Sequence, residues 1–590
     1  MKSITITGMI VLALIAVGGA VFRGSATEAV EPVVVNGITT SFIVQAADGK
    51  QARAAVEAIG GQVVHELGII KSVSALLTEA QRSALEADNS ITVYSDEVAR
   101  VEGWGGFGKR NDHTWRNKNA ADPTQIAKKF FRHYSYLNGD DLEEQEFVIS
   151  DALTSHFPVQ HEAHYAQAMG MRGRGVTVAV LDSGIARTPW LSGPRLLAEF
   201  DATVVDGTEG QDRAQDDNGH GTHVASLIAS AGKSGLGEYN AMAPEANLVA
   251  VKAFDENGMG SYADVIHGLD WILQNKDRLG IRIVNMSFGS PVQSYYWDDP
   301  LAQAVMVAWQ QGLVVVASAG NAGPEPMTIG VPGNVPYVIT VGAVTDSYTP
   351  HDATDDVLVS FSSSGPTFEA HVKPDIVAYG GHMLGLMASD ATIAINHPEF
   401  QAPDAENYYL MSGTSQAAGV VSGAVALMLQ MNPALSNNDV KCRLLSTAGA
   451  SSSNVAENYT IFQQGAGMLN VHRALMSRKT GCANTAFDIN VDIAGTDHFI
   501  GPARMDETGE FFIEGVNKNK PGMTWTGDYV RGVGYSWNNG HLWNNGFIWN
   551  NGFSWNNGYT WNNGFLWNNA YLWNNGSVET AGVDAWVGQE

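Results

Sequence analysis

The residue types that could do chemistry in this chain lie in three separate segments. Asp182 follows the apolar run 176–181, His220 starts a second apolar segment, and Ser415 stands among small residues before a long apolar run. A serine hydroxyl is a weak nucleophile alone, and it needs a base and a group that orients the base. Ser415 is therefore a candidate nucleophile, and the other two segments offer a histidine and a carboxylate that could serve it.

These side chains need a scaffold that brings them together. Near-continuous apolar runs, typical of strands buried on both faces, lie at 175–181, 248–251, 281–286, 313–317 and 337–341. Helical segments such as 261–274 and 300–311 lie between them. This alternation predicts an α/β fold with a parallel sheet that helices cover on both faces. Functional groups in such folds gather at the carboxyl ends of the strands, where Asp182, Ser287 and Asn321 are expected.

The motifs around the three residues resemble those of one known family. Segments 180–184, 218–225 and 413–415 occur in the chain order Asp, His, Ser, and residues 148–478 resemble the subtilisin-like serine proteases, the subtilase family. The resemblance implies a serine endopeptidase that hydrolyses polypeptide substrates through an acyl-enzyme and needs no cofactor for catalysis. It also favours His220 over His223 as the base, because His220 is the first histidine of the His-Gly-Thr-His motif. His223 is then a packed helix histidine.

The resemblance extends to groups that would bind the substrate. Asn321 resembles the asparagine that stabilises the oxyanion, with the backbone N–H of Ser415 as the second donor. The strand edge Ser287-Phe288-Gly289 resembles the edge that pairs with the substrate backbone. Ala319 and Gly320 resemble the floor of an open, apolar specificity pocket.

Two positions beside the nucleophile depart from the family pattern. Gln416 stands where the family usually has methionine, and Gly419 stands where it usually has proline. Neither change removes a catalytic group, so we expect effects on pocket shape or helix rigidity. The segment 379–409 is longer than in compact relatives and is expected to cover the cleft.

The N-terminal part of the chain predicts a precursor. Residues 1–29 have a basic start and an apolar stretch that is typical of a signal peptide, and an uncleaved anchor is the alternative. Residues 34–102 follow the order strand-helix-strand-strand-helix-strand, which favours a ferredoxin-like α+β unit. In the context of the resemblance this unit is similar to an inhibitory propeptide, so we expect a secreted, autoprocessed zymogen. Residues 103–147 are a Gly-rich and polar linker or insert.

The C-terminal part changes character twice. Residues 479–534 are polar and Gly-rich, which indicates a linker or extension. From 535 to 576 a tryptophan recurs every six residues, followed by Asn-Asn and then Gly or, once, Ala. This pattern predicts a stack of short strands and turns. The rings serve either to hold the stack together or to bind a glycan or a cell surface, and a flexible tail is a third alternative.

The composition and the remaining residues bear on the possible partners, metal ions and disulfides of the chain. The chain of 590 residues carries 34 Lys and Arg against 61 Asp and Glu, a formal charge of −27, which argues against nucleic acid as a partner. The resemblance implies structural calcium, for which Asp212, Asp216 and Asp217 are candidate ligands, although a solvated acidic cluster is the alternative. The cysteines Cys442 and Cys482 either pair or remain free thiols.

A rival function belongs to a different class. The chain could be a non-catalytic surface-binding protein that uses the aromatic repeats for binding and keeps the protease fold as a scaffold. The complete set of Asp182, His220, Ser415 and Asn321 favours the enzyme.

Overall fold

The computed structural model describes residues 39–96, 154–205, 211–235, 237–402, 405–449, 459–517 and 522–527, together with the backbone of 547–548 and 581–583. The predicted signal peptide, the linker 103–147 and nearly all of the tryptophan repeats lie outside these residues.

The N-terminal unit follows the element order that the sequence predicts. Its sheet is antiparallel with the order β2-β3-β1-β4. Thr78 caps α2, because its side chain accepts from the backbone N–H of Gln81 while the Gln81 side chain accepts from the Thr78 N–H. The elements are β1 (Thr40–Gln45), α1 (Gly49–Ala58), β2 (Gln62–Leu67), a 3₁₀ turn (Gly68–Ile70), β3 (Ser72–Leu77), α2 (Glu79–Glu86) and β4 (Thr92–Ser95).

The larger unit is built on a mostly parallel sheet, as predicted. Within the described residues its strands run in the order β13-β12-β11-β9-β5-β7-β6, with β14 beside β12, and only β13 is antiparallel. The strands are β5 (Thr177–Asp182), β6 (Leu196–Asp201), β7 (Asn247–Lys252), β9 (Ile281–Met286), β11 (Val314–Ser318), β12 (Ile339–Thr345), β13 (Val357–Leu358) and β14 (Ile376–Tyr379).

Helices cover this sheet, and the longest of them carry the apolar runs seen in the sequence. Among the helices that the structure describes, none combines the length and apolarity needed to cross a bilayer. The helices are α3 (Phe157–Gln160), α4 (Ala163–Ala168), α5 (His220–Ala229), α6 (Tyr262–Leu279), α7 (Pro300–Gln310), α8 (Thr392–Asn396), α9 (Thr414–Met431), α10 (Asn437–Thr447), α11 (Ile461–Gln464), α12 (Val471–Met476) and α13 (Ile489–Ile493).

Short strands surround this core and pair in small sheets. They are β8 (Met259–Gly260), β10 (Phe288–Gly289), β15 (Met383–Leu386), β16 (Tyr408–Met411), β17 (Phe499–Ile500), β18 (Ala503–Met505), β19 (Phe511–Ile513), β20 (Thr524–Trp525), β21 (Phe547–Ile548) and β22 (Ala581–Val583).

The segment 479–534 is more structured than a linker. It contains α13 and an antiparallel sheet of β18, β19 and β20. Phe511 and Trp525 from this sheet form one buried apolar cluster with Ile461 and Phe462 of α11. The extension is therefore packed on the larger unit, because its large apolar side chains contact residues that are distant in the sequence.

The two cysteines form a disulfide. Cys442 in α10 and Cys482 in the extension are bonded, with their Cα atoms 5.2 Å apart and a sequence separation of 40. This settles the choice that the sequence left open, and it links the start of the extension to α10 of the larger unit.

Candidate active site

The candidate acid and base meet at the carboxyl end of β5. Asp182 ends this strand, and the Nδ1 of His220 lies 2.8 Å from its Oδ1, with both side chains fully buried. An ionised carboxylate can only accept, so Nδ1 carries the proton and the lone pair of the neutral ring is on Nε2. Asp182 thereby fixes the tautomer that a general base requires.

The loop before α5 sets the position of His220. Oxygens of the Asp216 carboxylate accept from the backbone N–H groups of Gly219 and Thr222 at 2.7 and 2.8 Å, and Oδ1 also accepts from the Ser183 hydroxyl at 2.9 Å. Burial raises the pKa of Asp216, and its hydrogen bonds with Thr222 act in the opposite direction. This carboxylate joins the turn after β5 to the first turn of α5, which holds Asp182 and His220 in register.

A glycine permits the close approach of α5 to that turn. A Cβ built on Gly221 would lie 2.2 Å from the carbonyl oxygen of Gly184, and the Gly221 N–H donates to the Ser183 hydroxyl at 2.9 Å. Any larger residue would therefore push the helix, and His220 with it, away from Asp182.

Ser415 lies in the first turn of α9, where the helix dipole favours negative charge. It is fully buried, and its hydroxyl donates to the backbone carbonyl of Ser287 at 3.0 Å. The Ser287 hydroxyl in turn donates to the carbonyl of Ser415 at 3.0 Å. These reciprocal bonds fix the start of α9 to the residue that follows β9.

Two further buried polar side chains hold Ser287 in place, and the sequence did not predict them. The Asn285 side chain donates to the Ser287 hydroxyl at 2.8 Å and accepts from the Ser422 hydroxyl at 2.8 Å. All three side chains are buried. The sequence does contain a signal, because apart from Arg282 every other residue of β9 is apolar, which makes Asn285 stand out.

The Asn321 carboxamide is oriented by the residue before the nucleophile. Its Oδ1 accepts from the backbone N–H and from the hydroxyl of Thr414, both at 3.0 Å. Its Nδ2 is buried and has no hydrogen-bond partner among the described residues. A buried donor without a partner is costly, and it is ready to stabilise an oxyanion that forms beside Ser415.

His223 has a different environment from His220. Its Nε2 lies 3.1 Å from the carbonyl of Met383 and 3.2 Å from that of Tyr409, so this nitrogen donates to the β15–β16 pair. Burial lowers the pKa of His223 to about 4, which keeps the ring neutral. Gln416 Nε2 lies 3.5 Å from Nδ1 of His223, so the residue that replaces methionine contacts this histidine. These contacts suit a structural histidine.

Gly419, the second departure from the family pattern, and the long segment 379–409 lie against α5 or the loop that precedes it. A Cβ built on Gly419 would lie 3.2 Å from Cγ1 of Val224, so the absence of a side chain lets α9 pack tightly on α5. In the segment 379–409, the backbone N–H groups of Thr392 and Ile393 donate to the carbonyls of Asp217 and Asn218. The segment therefore covers the loop that precedes His220.

The predicted substrate edge is already paired. β10, which follows Ser287, pairs antiparallel with β22 from the C-terminal end of the chain. Ala319 is buried, and the N–H of Gly320 donates to the Thr414 hydroxyl at 3.2 Å, which places both beside the start of α9. Their roles as a pocket floor remain predictions.

The candidate calcium ligands are not brought together. Asp216 binds backbone and hydroxyl groups, Asp217 pairs with Lys252 at 2.6 Å, and Asp212 is exposed. In the part of the chain that the structure describes, no group of three or more His, Cys, Asp or Glu side chains is arranged to hold a metal ion. Protein donors already occupy Asp216 and Asp217, so a calcium site at this cluster remains a prediction from the sequence.

An acid–histidine pair at a parallel-sheet edge, a serine at a helix start and a buried amide donor are the groups that a serine protease requires. Comparisons with known proteins indicate the same class of protein. The subtilase family model matches residues 173–467. The chain is 43% identical over 276 residues to the serine protease AprX of Bacillus subtilis, a match that covers 46% of this chain and 60% of AprX. It is 33% identical over 320 residues to subtilisin DY of Bacillus licheniformis, which covers 53% of this chain and 95% of that protein.

The chain belongs to the subtilase family, and it is a subtilisin-like serine endopeptidase. A third relative, subtilisin Savinase of Lederbergia lenta, is 35% identical over 287 residues, which are 49% of this chain and 88% of the relative.

Proposed function

We propose that this chain is a secreted endopeptidase whose catalytic residues are Asp182, His220 and Ser415. His220 Nε2 takes the proton of the Ser415 hydroxyl while Oγ forms a bond to the scissile carbonyl carbon. The C–N bond then breaks, and His220 gives the proton to the leaving amine. Water repeats the sequence on the acyl-enzyme and releases the second product. The 2.8 Å contact between Asp182 and His220 carries this proposal.

Asn321 and the backbone N–H of Ser415 would donate to the oxyanion of the tetrahedral intermediate. Because the Asn321 Oδ1 is held by Thr414, the Nδ2 group does not need to reorganise during the reaction. Loss of such a donor costs about 2.7–4 kcal/mol of transition-state stabilisation, a figure measured on a subtilisin.

The N-terminal unit would act as the inhibitory propeptide of a zymogen. The Gly68 N–H donates to Asp270 in α6 at 3.0 Å, and the Ala263 N–H at the start of the same helix donates to Asp96 at 3.1 Å. Ile43, Leu67 and Ile70 belong to the same buried apolar cluster as the core of the larger unit. These contacts support a unit that folds against the enzyme, and the processing site, predicted between 101 and 155, lies almost wholly outside the described residues.

Secretion is supported by the disulfide between Cys442 and Cys482, since such bonds persist in oxidising compartments. Polypeptides would be the substrates. A glycan- or surface-binding role of the repeats remains a prediction from the sequence.

The test compares the wild-type chain with Ser415→Ala and with the control Ser477→Ala, which makes the same change at the end of α12. Wild type and Ser477→Ala are expected to hydrolyse casein and to shorten themselves, whereas Ser415→Ala remains at full length and inactive. A Ser415→Ala protein that is processed and active to the same extent would refute the proposal.

A further inference from the structure

The C-terminal strand β22 is the middle strand of a small sheet next to Ser415. It pairs antiparallel with β10 on one side, where Val583 faces Phe288 and Gly582 faces Gly289. It pairs antiparallel with β8 on the other side, where Gly582 faces Met259 and Ala581 faces Gly260. The backbone of this segment is therefore held from both sides at once.

One flanking strand, β10, is an edge of the candidate site, and the other, β8, bounds the opposite side of β22. β10 follows Ser287, which exchanges hydrogen bonds with Ser415. β8 leads directly into Ser261, the residue that caps α6. Pairing through main-chain hydrogen bonds does not depend on side chains, so the groove between β8 and β10 can accept any extended polypeptide. β22 occupies that groove as a substrate would.

The direction of β22 is also that of a substrate. β10 runs away from Ser287, and β22 runs antiparallel to it, so β22 runs towards the Ser287 end. Val583, opposite Phe288, is its paired residue closest to that end. β22 therefore points its C-terminal end towards Ser415. The acyl part of a substrate must approach the nucleophile in the same direction.

A second contact of the tail lies elsewhere on the same unit. β21, within the tryptophan repeats, pairs antiparallel with β17, where Ile548 faces Phe499 and Phe547 faces Ile500. β17 is itself fixed, because the Tyr296 hydroxyl accepts from the Phe499 N–H at 3.2 Å and donates to the Asp492 carboxylate at 2.7 Å. A segment tethered in this way binds intramolecularly, so its occupancy does not depend on the protein concentration.

We infer that the C-terminal segment around Ala581–Val583 is an intramolecular competitive inhibitor that fills the substrate groove between β8 and β10. This inference rests on the proposed function and adds a second inhibitory element to it. The N-terminal unit contacts α6 and α7, whereas β22 pairs with the groove itself. Removal of the C-terminal segment would then be a separate step of activation.

The activity test uses three altered chains. One lacks residues 581–590, one carries Gly582→Pro, and the control carries Gly588→Pro, the same change outside the paired residues. Proline removes the N–H and restricts the backbone at the residue that faces both neighbouring strands. Each protein is checked by intact mass, and its kcat and KM are measured on a short chromogenic peptide.

We expect the deletion and Gly582→Pro to lower KM at least tenfold with little change in kcat, and Gly588→Pro to match the wild type. A synthetic peptide of residues 577–590 should inhibit the deleted enzyme competitively, and the same peptide with Gly582→Pro should not. Equal KM values in all four proteins, with no inhibition by the peptide, would overturn the inference.

A second arm does not depend on activity. In the Ser415→Ala background, amide hydrogen exchange at Met259–Gly260 and Phe288–Gly289 should be slower in the full chain than in the Gly582→Pro chain, at any protein concentration. Equal exchange rates would refute occupancy of the groove even if the protein is a protease. If exchange is slower in the full Ser415→Ala chain but the wild type hydrolyses nothing, the pairing of β22 is supported and the proposed function is refuted.

Discussion

The two largest sheets that the structure describes are stabilised in different ways. The parallel sheet of the larger unit has helices on both faces, and its central strands β5, β7, β9 and β11 are almost entirely buried. The antiparallel sheet of the N-terminal unit alternates along β1, where Phe42 and Val44 pack on the unit's own helices while Ile43 joins the core of the larger unit. The larger unit therefore has a core of its own, whereas the smaller unit also buries apolar side chains against the larger one.

Polar groups show the same contrast. The larger unit buries a charged cluster in which Asp375 lies 2.6 Å from Lys373 and 3.1 Å from Lys441. The smaller unit places its buried carboxylate, Asp96, at the contact with α6. One unit uses buried charge to fix its interior, and the other uses it at the boundary between the units. The proposed role of the smaller unit as a removable inhibitor would require such a difference.

The largest effect is expected from Asp375→Asn. Burial acts to raise the pKa of the Asp375 carboxyl, but Lys373 and Lys441 outweigh it and hold that pKa below its usual value. Without the carboxylate two buried ammonium groups lose their partner, so the free energy of unfolding of the larger unit should fall by about 3–5 kcal/mol. Denaturant unfolding in the Ser415→Ala background measures this. The control is Asp390→Asn at an exposed position, and an equal effect of both changes would contradict the contrast between the units.

A smaller effect is expected from pH at the boundary. Burial raises the pKa of Asp96 to about 6, against hydrogen bonds from Ser41 and Ala263 that lower it. Burial and the charge of Asp96 raise the pKa of Asp264 to about 7, and the imidazole of His65 faces the Asp264 carboxylate at 3.7 Å. Both groups prefer a proton in the docked state, so their contribution is fully present below about pH 4 and is lost as the pH rises through about 6 to 7.

The raised pKa of Asp96 corresponds to up to about 3 kcal/mol of docking free energy. Calorimetry of the Ser415→Ala chain from pH 4 to 8 should show the N-terminal unit melting at a lower temperature as the pH rises. Asp96→Asn should flatten this dependence. A unit that becomes more stable with rising pH would show that the sign is wrong.

The smallest effect compares two neighbours in β1. Ile43→Ala removes apolar contacts with the larger unit, and Val44→Ala removes contacts within the smaller one, each at about 2 kcal/mol. Hydrogen exchange should separate them, because Ile43→Ala exposes amides of both β1 and α6, whereas Val44→Ala affects the N-terminal unit alone. Identical exchange patterns would remove the distinction between the two faces of β1.

The sequence predicted the parts of the molecule that have strong local signals. Long apolar runs located β5, β7, β9, β11 and β12, and the three motifs pointed to Asp182, His220 and Ser415. The contact of Asp182 with His220 follows from the parallel sheet, which collects strand ends at one edge.

Other features depend on contacts between distant residues, and the sequence could not reveal them. The residues of β22 have no periodic pattern, and only their two partners make them a strand. Asp216 belonged to an acidic cluster that suggested calcium, whereas its real neighbours are the backbone N–H groups at the start of α5. The strands β18 to β20 are two or three residues long and gain their stability from packing on α11.

The most direct test of the account is covalent labelling with a fluorophosphonate. The Ser415 hydroxyl would attack phosphorus and displace fluoride while His220 takes the proton, so peptide mass spectrometry should find the adduct on Ser415. The adduct should be absent from Ser415→Ala and should form far more slowly in His220→Ala. A folded chain that is not labelled at Ser415, or that is labelled at the same rate without His220, would contradict the account.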